Sequence, residues 1–233
     1  MTPPTALVTG ASRGLGAALA EALNRRGWRL VVDGRDPDRL AAGVAALPRP
    51  DLVTAVAGDV TDPTHRATLV AAARSIGGAS LLVNNASTLG ASPLPPFADL
   101  DPATYVDILR VNLVAPVALT AALLPQLRRG GGRVLNISSD AAVEPYEGWG
   151  GYGSSKAALD HAGRVLAAEE PTLRVYSLDP GDMRTRMHQD AFPGEDISDR
   201  PEPETVVPAV LTLLAGDLPS GRYVTDQLVR EAA

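Results

Sequence analysis

Short apolar runs alternate with amphipathic stretches along the chain. Thr5-Ala-Leu-Val-Thr9 predicts a strand, the Gly-rich segment Gly10 to Gly16 a turn, and Ala17 to Arg26 a helix. Further strands are predicted at 28–33, 52–56, 80–83, 133–137, 173–178 and 221–225. Helical spacing covers 38–47, 63–76 with Asp62 as its cap, 101–126, 152–170 and 202–215. Strand and helix alternate from start to finish, which predicts an α/β fold: a doubly wound parallel sheet of seven strands with helices on both faces, in three layers. No linker or repeat interrupts it, so one domain is expected over 1–233, with the polar, irregular segment at about 182–200 as a short lid.

Composition narrows the function. Hydrophobic residues make up 45% of the 233, enough for a buried core, and the net charge of −6 gives no basic surface for nucleic acid. There is no Cys, which excludes disulfides and thiolate chemistry and fits a reducing cytoplasm. His65, His161 and His188 are too scattered for a metal site. The start, Met1-Thr2-Pro3-Pro4, lacks the basic region of a signal peptide. No apolar run is expected to reach the length of a membrane span, and Leu113 to Leu127 reads as a buried helix.

The candidate chemistry lies after strands. In Gly10-Ala-Ser-Arg-Gly-Leu-Gly16 the glycines permit a tight turn that brings phosphates to a helix N-terminus, although a Gly-rich turn alone is often only a turn. The next strand ends at Asp33-Gly34-Arg35, where an acid favours a ribose hydroxyl and an Arg a 2′-phosphate. Arg13 and Arg35 can clamp such a phosphate; the alternative for each is solvated surface charge, and Asp33 faces either side. Asn84-Asn85 ends the fourth strand, to hold the sheet edge, to contact a ligand or as an ordinary polar turn, and Ser138-Ser139 ends the fifth. The chain holds twenty Arg and one Lys, and that Lys is Lys156, four residues after Tyr152 on one helix face. A phenol beside an ammonium is expected to be more acidic than usual, fit for proton transfer near neutral pH.

Together these segments resemble the short-chain dehydrogenase/reductase family over nearly the whole chain. Thr9 to Gly16 matches its cofactor loop, Asp59-Val60 its adenine pair, and Asn84-Asn85-Ala86 the motif after its fourth strand, with Ser87 in place of the usual Gly. Asn112, Ser139, Tyr152 and Lys156 fall on its catalytic positions, and Pro180-Gly181 with Thr185 on the segment that meets the nicotinamide. The resemblance implies a Rossmann-type domain that binds NADP(H) through Gly10, Ser12, Arg13, Gly14, Leu15, Gly16, Arg35, Asp59, Val60, Asn85, Ala86, Tyr152, Lys156, Pro180, Gly181, Met183 and Thr185. It also implies a homodimer or homotetramer.

The leading expectation is therefore an NADP(H)-dependent enzyme interconverting a ketone or aldehyde and an alcohol, with Tyr152 as acid/base, Ser139 polarising the substrate oxygen, Lys156 assisting Tyr152 and Asn112 holding a relay water. The alternatives are a dehydratase, epimerase or cyclase on the same scaffold, or a binding protein with an inactive site. Ala141, Val143, Tyr146, Trp149 and the lid are the candidate substrate contacts, together with Ser139 and Tyr152.

Overall fold

The computed structural model describes residues 3–231, so Met1-Thr2 and the last two residues lie outside the described part. Its strands are β1 (Thr5–Val8), β2 (Arg29–Gly34), β3 (Val53–Ala57), β4 (Leu81–Asn84), β5 (Arg133–Ile137), β6 (Arg174–Asp179) and β7 (Gly221–Val224). They form one sheet in the order β3-β2-β1-β4-β5-β6-β7, and every neighbouring pair is parallel. The helices are α1 (Gly14–Arg25), α2 (Pro37–Ala45), α3 (Pro63–Ser75), α4 (Pro102–Leu109), α5 (Ala115–Leu127), α6 (Gly150–Glu169), α7 (Arg186–Ala191), α8 (Val207–Ala215) and α9 (Thr225–Glu231).

Strand periodicity divides the core in two. Ala6, Val8, Leu30, Val32 and Leu135 face Leu19 and Leu23 of α1 and Val210 and Leu213 of α8. Leu7, Val31, Leu82 and Val134 face the opposite way, onto Leu69 of α3 and Leu119, Leu123 and Leu127 of α5. Both faces of the sheet are covered, which explains strands that read as continuous apolar runs.

Three helices start by one device. Asp36, Asp62 and Asp101 each precede a proline, and their carboxylates accept from the amides of Arg39 (3.0 Å), Thr64 (2.8 Å) and Thr104 (2.8 Å). The Asp caps a free N–H while the proline, which has none to satisfy, fixes the first helical φ.

Three expectations need correction. The helix predicted at 101–126 is broken by a π turn at Arg110–Val114, joining α4 to α5. The extra residue there turns Asn112 inward, where side-chain hydrogen bonds hold it. The lid is partly helical: α7 is capped by Thr185, which accepts from His188 N (3.2 Å), and is braced by an Arg186–Asp190 pair four residues apart. Finally, the helical stretch Pro102–Gly130 spans 29 residues and is long and apolar enough to cross a membrane. One side of it, with Leu119, Leu123 and Leu127, packs on the sheet, while Val106, Val114 and Val117 are exposed.

Candidate active site

The strand order reverses between β1 and β4, so the loops after them diverge and leave a crevice at the carboxyl ends of the strands. The crevice encloses about 990 Å³ and runs from Arg35 and Arg39 to Met183 and Thr185. Gly10 turns with φ +65°, and a Cβ there would lie 2.9 Å from Ala86 Cα. A Cβ on Gly16 would reach 2.4 Å from Asn85 Nδ2. Both positions require glycine, because the β1 and β4 loops are tied face to face. Asn85 Nδ2 donates to the carbonyls of Thr9 (2.9 Å) and Gly10 (3.1 Å), while Thr9 Oγ1 accepts from the amides of Asn85 and Ala86, each at 3.0 Å. Asn84 is buried, donating to Asn136 Oδ1 (2.8 Å) and Thr120 Oγ1 (3.2 Å), so of the two asparagines only Asn85 lines the crevice.

Asp33 faces inward. It accepts from Gly10 N at 2.6 Å through one oxygen, which holds the Gly loop, and pairs through the other with buried His65 of α3 at 3.2 Å. Beyond it the crevice is lined by exposed Arg13, Arg35 and Arg39 with Ser12, Gly14 and Leu15. Arg39 was not singled out from the sequence; its place in the first turn of a helix capped by Asp36 was the available signal. Asp59 and Val60 line the same end. Burial works against the Asp59 charge, but the Thr61 amide and hydroxyl, with the nearby Arg35, hold its carboxyl below the usual range.

The predicted proton-transfer residues meet at the end of β5. Tyr152 is buried, with the hydroxyls of Ser139 and Ser87 near enough to favour its phenolate, while Ser139 Oγ donates to Asp140 Oδ1 (2.9 Å) and accepts from Ala141 N (3.2 Å). Its neighbour Lys156 is 2% exposed; the ammonium lies 5.4 Å from the Tyr152 ring centre and donates to Ile137 O at 2.7 Å. The expected acidification of Tyr152 does not arise in this environment. Burial drives the phenol well above its ordinary value, and the two serine hydroxyls offset only part of this. Burial also lowers Lys156 to about 8, with Asp160 one turn on opposing that fall. In both groups burial is the largest cause of the shift.

Asn112 uses its whole amide. Oδ1 accepts from Ser87 Oγ (3.1 Å) and Thr88 N (2.9 Å), and Nδ2 donates to Thr88 O (2.9 Å) and Ser155 Oγ (2.9 Å). The side chain thus pins the π turn to the β4 loop and to α6. Ser87, noted in the sequence only as a replacement for Gly, links Asn112 to Tyr152.

Trp149 stands edge-on to Tyr152, with ring centres 5.6 Å apart, and meets Phe192 of the lid at 5.9 Å. Ala141, Leu89, Met187 and Ala191 complete this apolar wall. Tyr146 lies at its rim, half exposed and donating to Asp140 Oδ2 at 2.9 Å. Val143 is not brought into this group; it is 59% exposed and lines a separate groove beside α6 and β7, because the 3-10 turn at Asp140–Ala142 carries it away. The lid crosses to the other side of the crevice, where Thr185 Cγ2 lies 3.6 Å from the Cβ position of Gly14. Pro180-Gly181 forms the turn between β6 and the lid, with Gly181 at φ +74° and its N–H donating to Asp179 Oδ1 (3.1 Å).

The chain is similar to known proteins in sequence and fold. The short chain dehydrogenase family model matches residues 4–196. A sepiapterin reductase of Xenopus tropicalis is 37% identical over 199 residues, covering 78% of this chain and 75% of its own. A short-chain dehydrogenase from Shigella flexneri, complexed with NADP, superposes with a TM-score of 0.89 at 26% identity over 97% of this chain and 98% of its own. Another from Escherichia coli, complexed with NADPH, gives 0.86 at 28% identity over 97% of each. With the seven-stranded parallel sheet, the glycine-bound crevice and the Ser139–Tyr152–Lys156 group all in place, the chain belongs to the short-chain dehydrogenase family of oxidoreductases.

Proposed function

We propose that this protein is an NADP(H)-dependent reductase interconverting a ketone or aldehyde and the corresponding alcohol, with Tyr152 as general acid and base. The observation that carries this reading is the meeting of the Tyr152 and Ser139 side chains, beside a buried Lys156, with Ser87, which lines the crevice that three arginines flank.

The crevice fits a dinucleotide. Gly10, Gly14 and Gly16 let the backbone approach a pyrophosphate, and the first turn of α1 offers its free N–H groups. Asp59 and Val60 would border the adenine, and Arg13, Arg35 and Arg39 would surround a 2′-phosphate with planar forks suited to it. Asn85 and Ala86 would support the middle of the ligand, and Pro180, Gly181, Met183 and Thr185 its nicotinamide end. When bound, the cofactor supplies or accepts the hydride at the carbonyl carbon. Ser139 donates a hydrogen bond to the carbonyl oxygen, and Tyr152 transfers its proton to that oxygen as charge develops there. A phenol held so far from ionisation keeps its proton until the oxygen becomes basic. Lys156 would hold the nicotinamide ribose in register with the phenol, and Asn112 orders the loop that carries Ser87. Trp149, Phe192, Met187 and Tyr146 favour a substrate with an apolar or aromatic body.

Tyr152→Phe should abolish NADPH oxidation with any carbonyl substrate yet still bind NADPH; undiminished turnover would refute the assigned acid. Arg35→Ala and Arg39→Ala should each weaken NADPH by about tenfold while changing NADH little. Equal losses in titrations with the two cofactors would count against the clamp. We further propose that α4, the π turn, α5 and α6, which expose Val106, Val114, Val117 and Val165, pair with a second copy.

A further inference from the structure

We infer that Arg222 is a positioning residue: from outside the crevice it sets the Ser139 hydroxyl against the Pro180-Gly181 turn by gripping the ends of β5 and β6 together. This rests on the reaction proposed above and adds a residue to it. Arg222 lies on β7, two strands from β5. Its Nη2 donates to Ser139 O (3.0 Å) and to Asp179 Oδ2 (3.0 Å), and its Nε donates to Asp160 Oδ2 (3.2 Å). Both carboxylates are more than nine-tenths buried.

Three successive residues at the end of β5 are thereby held by three charged side chains. Lys156 takes the carbonyl of Ile137, Asp160 accepts from Ser138 Oγ (2.9 Å), and Arg222 takes the carbonyl of Ser139. Asp179 carries the constraint onward, since its other oxygen accepts from Gly181 N at 3.1 Å. Thr225, just after β7, donates to the Asp179 carbonyl at 3.1 Å and closes the loop. A planar guanidinium presents its donors to acceptors on three elements in a rigid fork, whereas the three donors of an ammonium radiate from one atom and rotate. Misplacement of a reacting group by about 1 Å can cost about a hundredfold in rate, so a distant clamp of this kind reaches the chemistry.

The test compares wild type with Arg222→Lys, which keeps a cation between the two buried carboxylates, and Arg222→Met, which removes every donor. Binding is measured for NADPH and for adenosine 2′,5′-bisphosphate, which lacks the nicotinamide end, and turnover with a carbonyl substrate. In Arg222→Lys we expect kcat to fall by about tenfold or more and NADPH to weaken by about fivefold, with the bisphosphate unchanged within about twofold. Arg222→Met should lose more of the same two quantities. Wild-type kcat and NADPH affinity in Arg222→Lys would overturn the inference. So would parallel losses for both ligands, or failure of Arg222→Lys to fold, since either would make the cluster a general brace. Failure of the wild type itself to bind NADPH would instead refute the cofactor reading.

Discussion

Lys156 shows how a single residue can be placed by spacing and yet behave as the spacing alone does not foretell. Tyr152 and Lys156 do share a face of α6, as a four-residue interval requires. What the interval leaves out is burial, which depends on the sheet and loops packed around them. The same residue makes a sharp prediction. Its folded pKa of about 8 lies below the ordinary 10.5. Below pH 8 both folded and unfolded chains carry the proton, and burying the charge costs stability. Between about 8 and 10.5 the unfolded chain binds more protons, so stability rises with pH. Relative to Lys156→Met, the wild type should therefore gain stability from pH 8 to 10, by at most on the order of 3 kcal/mol. Urea unfolding of both proteins at the two pH values would show it, and a gap that ignores pH would contradict a desolvated ammonium. Ser87 offers a milder case: Ser87→Gly removes one partner of the Tyr152 phenol and one of Asn112, and should lower kcat without weakening NADPH.

Among the elements, those with a strong local signal were readable. The Asp-Pro starts of α2, α3 and α4 and the apolar runs of all seven strands sit within a residue or two of their predicted bounds. The π turn at Arg110–Val114 was not readable, because helical periodicity continues across it and its cause lies in another part of the chain. Asn112 bonds Thr88 on both carbonyl and amide, some 24 residues away. Asn112→Ala should leave these buried groups unpaired and cost about 2 kcal/mol, lowering Tm by roughly 4–8 °C, with loss of turnover. Calorimetry together with an activity assay would check both, and an unchanged Tm would mean that the turn is held by other contacts. The lid helix α7 escaped notice for a different reason: six residues carry too little periodicity to stand out among charged neighbours.

At the scale of the molecule, the fold class and the location of the crevice followed from strand–helix alternation, and the substrate wall did not, since Phe192 and Trp149 lie far apart in sequence and meet only in the folded chain. The exposed valines on α4, the π turn and α5 belong to this scale. Val114→Glu with Val117→Glu should convert a dimer or tetramer to a smaller species by light scattering while leaving the secondary structure intact; a wild type that is already monomeric would dismiss the pairing. The strand order has a consequence of its own. β1 lies between β2 and β4, and some seventy residues separate β1 from its second neighbour. While a ribosome is still extending the chain past α3, one flank of β1 offers unmet amides and carbonyls to any passing β-segment. Nascent chains stalled there should be sticky, and molecular chaperones would be most needed in that interval.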